Sequence, residues 1–112
     1  MSTRTEIAAA ATLDGITKVT PNYRQTLKAG DGFVRLASRA RGDNGFGWVD
    51  TWEVWIALPQ NVPDAEKWLE EHLDDLMASV DTELVVTRAA PAELALPNAV
   101  VNGLIVAGSR EG

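Results

Sequence analysis

The sequence predicts an α+β domain: a single layer of mainly antiparallel sheet, a β-hairpin plus two further strands, packed against two helices. Three observations carry this reading. Residues 33–58 alternate apolar and polar side chains on both sides of a Gly42-Asp43-Asn44-Gly45 turn, and Asn-Gly between alternating runs is a hairpin signal. Residues 65–80 repeat apolar side chains at helical spacing. The order of elements, helix, hairpin, helix and two β segments, is that of a sheet with its helices gathered on one face.

The chain opens on a short helix. Thr3 and Glu6 have the spacing of a capping box, Ala8–Ala11 favours helix strongly, and Asp14-Gly15 is a stop. Thr17–Gly32 has neither period and holds Pro21, Asn22, Gly30 and Gly32, so it reads as an extended connection with at most a short strand. Tyr23 and Leu27 are its expected anchors.

From Phe33 to Arg41 strict alternation puts Phe33, Arg35, Ala37, Arg39 and Arg41 on one face, a basic stripe. Val34, Leu36, Ser38 and Ala40 then form the core side. Trp48–Leu58 is rich in β-branched and aromatic residues. Trp52, Val54, Ile56 and Leu58 point to the core, whereas Trp55 shares the opposite face with Val49, Thr51, Glu53 and Ala57. A large aromatic there is either covered by another element or waits for a partner.

Pro59–Pro63 ends the strand, and Asp64 is the expected cap of the second helix. Ala65, Trp68, Leu69, Leu73, Leu76, Met77 and Val80 form its apolar stripe, with His72 on the same side. Glu66, Glu70, Glu71, Asp74 and Asp75 line the outer face, with only Lys67 against them. Glu83–Arg88 and Val100–Ala107 are the remaining strands, separated by a loop containing Pro91 and Pro97; Leu94 and Leu96 form a short extended piece, and Gly108–Gly112 a polar tail.

The 112 residues are the length of one domain, marginally stable alone, for which oligomerisation is a natural expectation. There is no cysteine, which excludes disulfides and Cys-ligated metal sites, and the one histidine is too few for multi-His sites. The charges are segregated. Seven basic residues stand against three acidic ones through Arg41, and three against thirteen afterwards, for −6 in all. That balance suits a self-associating protein better than a general nucleic-acid binder. The longest apolar runs, Ile7–Ala11 and Val54–Leu58, are far below the length of a membrane span, so a soluble protein made in a cytoplasm is expected. No phosphate-binding glycine loop occurs. Glu71, His72 and Asp75 are the one set resembling a metal cluster, and a half-buried histidine beside the core is the preferred reading. An enzyme ranks last: no catalytic, cofactor or metal residues are assigned.

The run Asp50–Val80, DTWEVWIALPQNVPDAEKWLEEHLDDLMASV, resembles the tail terminator proteins of long non-contractile-tailed bacteriophages. The shared features are a Thr-Trp strand ending in Leu-Pro-Gln, a Val-Pro-Asp break, and an amphipathic helix with Trp in its first turn. Asp14-Gly15-Ile16-Thr17, Leu27–Asp31 and Glu83–Thr87 are similar to versions from phages of actinobacteria. The resemblance covers most of the chain, is most specific in the middle third, and is shorter around the hairpin than the lambda-type member.

The resemblance implies a structural virion protein at the head-proximal end of the tail. Such proteins form a hexameric ring that caps the tail tube, ends addition of tail tube protein and offers a joint to the head-completion or stopper protein. Genomic DNA only passes through the bore; no cofactor and no membrane is involved. A cyclic ring uses heterologous contacts. Candidate interface residues are therefore Trp55 with Val49, the basic stripe Arg35, Arg39 and Arg41, and the acidic set Glu70, Glu71, Asp74 and Asp75. Another head-to-tail connector ring, or a small intracellular binding module, are the alternatives.

Overall fold

The protein, in a computed structural model that describes residues 3–25, 27–42, 45, 47–97 and 99–111, is the expected α+β layer. Its elements are α1 (Thr3–Ala11), β1 (Lys18–Thr20), β2 (Asp31–Arg41), β3 (Trp48–Ala57), α2 (Val62–Val80), β4 (Val85–Leu96) and β5 (Ala99–Glu111). The five strands lie in the order β1-β2-β3-β5-β4. Only β1 runs parallel to its neighbour; every other pair is antiparallel.

Both helices cover one face of this sheet. Ile7, Ala8 and Ala11 of α1 and Leu76 and Val80 of α2 are buried against Val34, Trp52, Val54, Ile56, Leu104 and Val106. Small alanines let α1 approach closely, and the Ser79 hydroxyl of α2 donates to the Ala10 carbonyl, tying the helices together. Arg110 of β5 bridges Glu6 of α1 at 3.4 Å and Glu83 at 3.3 Å, fixing the same edge electrostatically. A smaller buried set, Phe33, Ala57 and Leu94, lies outside that cluster. Register places it on the opposite face, where Tyr23 packs edge-on against Phe33 at 5.0 Å between ring centres. No described helix is long and apolar enough to cross a membrane.

Several sequence expectations are corrected. The residue preceding Thr3 lies outside the described residues, and Thr3 itself is already helical. Asn61, not Asp64, occupies the cap of α2, without a side-chain hydrogen bond; Pro63 sits in the first turn, where its missing N–H costs nothing. Asp64 instead contributes a favourable charge to that turn.

The expected loop around Pro91 is the middle of a 12-residue strand, β4. An edge strand tolerates proline because one side of its backbone has no ladder partner, and β4 pairs only with β5. The expected polar tail continues β5 as far as Glu111. There Gly108 is a requirement of packing: a Cβ would lie 2.9 Å from both Leu84 Cβ and the Val85 carbonyl oxygen. In the β2–β3 turn, Asp43 and Asn44 lie outside the described residues, while Gly45 and Gly47 have φ of +77° and +67°.

Candidate functional site

A β-bulge decides which way the arginines face. Leu36 pairs with Trp52, but Ser38 pairs with Thr51, so Ala37 is an extra residue in β2. Side chains alternate along a strand, and one inserted residue reverses the alternation beyond it. Arg35, opposite Glu53, stays on the face away from the helices. Arg39 and Arg41, opposite Asp50 and Trp48, move to the helix-side face. The basic stripe expected from strict alternation is therefore split, and Ser38 and Ala40 are exposed rather than core.

Each arginine is engaged within the sheet. Arg39 donates from Nε and Nη2 to the two carboxylate oxygens of Asp50 at 2.6 and 2.9 Å. The Asp50 side chain is only 8 % exposed, whereas that of Arg39 is 50 % exposed. Hydrogen bonding from Arg39 holds the Asp50 carboxyl below the usual carboxylate range, against the opposing effect of its desolvation. The same bond raises the Arg39 guanidinium. Arg41 stacks over Trp48 at 4.2 Å from the ring centre. Among the described residues no carboxylate pairs with Arg41.

On the other face, Trp55 is held by its own chain. Phe33 packs against it at 5.4 Å between ring centres, Arg35 stacks over it at 4.8 Å, and its indole N–H donates to Glu53 at 3.1 Å. Glu53 also pairs with Arg35 at 3.7 Å. Val49 shares this face, opposite Ala40 and Glu111, as the alternation predicts. The structure thus brings together Trp55 and Arg35, places Val49 on the same face but six residues, about 20 Å, along β3, and separates all three from Arg39 and Arg41.

The acidic face of α2 is exposed at Glu66, Glu70, Glu71, Asp74 and Asp75. Glu71 has Lys67 at 3.8 Å and His72 at 3.6 Å, and the His72 ring packs edge-on against Trp68 at 5.1 Å. Among the described residues no basic side chain pairs with Glu70, Asp74 or Asp75. Nor, among them, does any group of three His, Cys, Asp or Glu side chains have the arrangement of a metal site.

Two features escaped sequence reasoning. The first is the stretch of residues 36–41 on β2 and 48–52 on β3, which we term the arm. Leu36 and Trp48 are both 41 % exposed there, on the helix-side face. Trp48 is the first residue of β3, two residues before the buried Asp50, and the alternation of the strand gives it no role. The second is a hollow of about 330 Å³ between the start of α2 and the β4–β5 hairpin. Leu58, Ala65, Leu69 and Ala92 line it, with Glu66 and Glu93 also at its wall. Gln60 buttresses one end: it donates to the Leu58 carbonyl at 2.6 Å and accepts from the Asn102 backbone N–H at 2.9 Å.

No protein-family model matches this chain, and no curated protein matches it.

Proposed function

We propose that this chain is a structural subunit of a phage tail, a tail-terminator-like tile of a six-membered ring. In this reading the ring caps the tail tube, stops further tube subunits from adding, and presents a surface to the head-completion or stopper protein. The observation that carries the proposal is the Asp50–Val80 unit. The residues that resemble tail terminators coincide with one continuous piece of structure, β3, a turn and α2. The Leu-Pro-Gln segment at their junction is where Gln60 fastens the turn to β5 through Asn102. The outward acidic face of α2, remote in sequence from the arginines of β2, supports an assembly through unlike surfaces.

Electron microscopy of the purified chain, with and without tube subunits, tests this reading. Rings seated on tube ends and arrested tube growth are expected. Tubes that elongate unchanged in its presence would overturn it.

A further inference from the structure

We infer that the arm and the hollow are the two halves of one contact: the arm of one copy docks into the hollow of the next. The inference rests on the ring-forming reading above, but names the surfaces and the residues that would join the copies.

The chemistry of the two halves is complementary. The arm offers an exposed indole, Trp48, with Arg39 and Arg41 against its ring, and an exposed Leu36 further in, opposite Trp52. The hollow offers an apolar floor with two carboxylates, Glu66 and Glu93. Its volume of about 330 Å³ is within the range of sites that enclose a small organic group, enough for one indole. Aromatic and arginine side chains entering apolar pockets are the residues that most often dominate protein interfaces. The carboxylates at the wall would meet the arginines that accompany Trp48. One of these, Arg41, has no carboxylate partner among the described residues. The acidic face of α2 continues the negative surface beyond Glu66.

The contact cannot form within one chain. Trp48 starts β3 and Leu58 follows its last residue, so the two ends are separated by an extended strand of about 33 Å at about 3.3 Å per residue. A knob and a socket at opposite ends of one rigid strand must be satisfied by different copies. The resulting contact is heterologous, and such contacts close into rings or continue as filaments. Its two sides use different residues, which gives the test a distinctive signature.

The test uses this chain alone, so failure of the contact is separable from failure to cap tubes. Sedimentation velocity is measured on the wild type over rising concentration. It is repeated on an arm variant, Trp48→Ala with Arg41→Ala, and a hollow variant, Glu66→Arg with Glu93→Arg. Circular dichroism first establishes that each is folded. The wild type should self-associate, and each variant should associate at least tenfold more weakly. An equal mixture should form dimers and stop there, because one intact arm and one intact hollow remain. A chain combining Arg41→Glu with the hollow reversals keeps Trp48 and should recover association, which reads the contact even if the Trp48 substitution fails to fold. A wild type that stays monomeric, variants that associate like it, or a mixture that yields no dimer would each overturn the inference.

Discussion

Arg39 of β2 grips the carboxylate of Asp50 on β3 through two hydrogen bonds, and it reaches that face only because Ala37 is an extra residue in its strand. A guanidinium fork matched to both oxygens of a nearly covered carboxylate is a strong form of charged hydrogen bond. It anchors the arm between exposed Leu36 and exposed Trp48.

The pH dependence of stability should carry the mark of this pair. The Asp50 carboxyl is held below its ordinary range in the folded protein, so the unfolded chain binds its proton more readily. The stabilisation is fully present above the unfolded value of about 3.9 and is lost as pH falls through the lower folded value. Thermal melts in acid should therefore fall more steeply for the wild type than for Asp50→Asn. Parallel curves would remove Asp50 from the acid response.

Deleting Ala37 should remove the bulge and leave the pairing beyond it in place. Leu36 still faces Trp52, Ser38 then follows opposite Thr51, and plain alternation carries Arg39 and Arg41 to the helix-side face opposite Asp50 and Trp48. NMR titration of the Asp50 carboxyl should show it still held below the ordinary range by Arg39. A carboxyl that returns to the ordinary range would mean that the deletion shifts the β2–β3 register instead of straightening it.

The two exposed-strand tryptophans should behave oppositely on truncation. Trp55 is wedged between Phe33 and Arg35, so Trp55→Ala should cost the folded monomer about 1–3 kcal/mol, less than the ~3–5 of a fully buried aromatic. Trp48 is 41 % exposed, with Arg41 and Arg39 over its ring, so Trp48→Ala should stay within about 1 kcal/mol. Urea denaturation of each variant gives the comparison. Equal losses would contradict the different packing of the two rings.

Gly103 and Leu104 are neighbours with opposite sensitivities to size. Leu104 is fully buried under the helices, and Leu104→Ala should cost about 2–5 kcal/mol through the cavity it leaves. Gly103 lies beneath Leu94, where a Cβ would collide with that side chain and come within 2.9 Å of the Ile56 carbonyl oxygen. Gly103→Ala should therefore cost about 1–3 kcal/mol by overpacking. Chemical denaturation resolves both.

What the sequence discloses is what periodicity can express. The apolar stripe of α2 and the Trp52, Val54, Ile56 face of β3 each repeat with one period; the β3 face is buried, while of the α2 stripe Leu76 and Val80 are buried and Ala65, Trp68, Leu69 and Leu73 pack partly buried against the core. The splitting of the arginines was not legible, because a bulge is a change of period by one residue and no side chain announces it: Ala37 fits either phase. Pro91 misled for a related reason. Whether proline breaks a strand depends on its being at a sheet edge, which is a property of topology rather than of the local residues. The hollow is formed by Leu58, α2 and the β4–β5 hairpin together, and no single stretch of chain contains it.

The bulges at Ala37 and Thr87 give this sheet an arithmetic of its own. Each acts as a half-cycle shift in a two-beat wave, and each lies where its strand has a neighbour on one side only: β4 is the edge of the sheet, and β1 accompanies β2 no further than Phe33. Lengthening β2 by two residues in regular alternation keeps the side chains beyond in phase; a single added residue reverses them unless a further bulge takes it up. Parity of length, more than the letters at Arg39 or Arg41, thus decides which charges a variant of this hairpin would show to its surroundings.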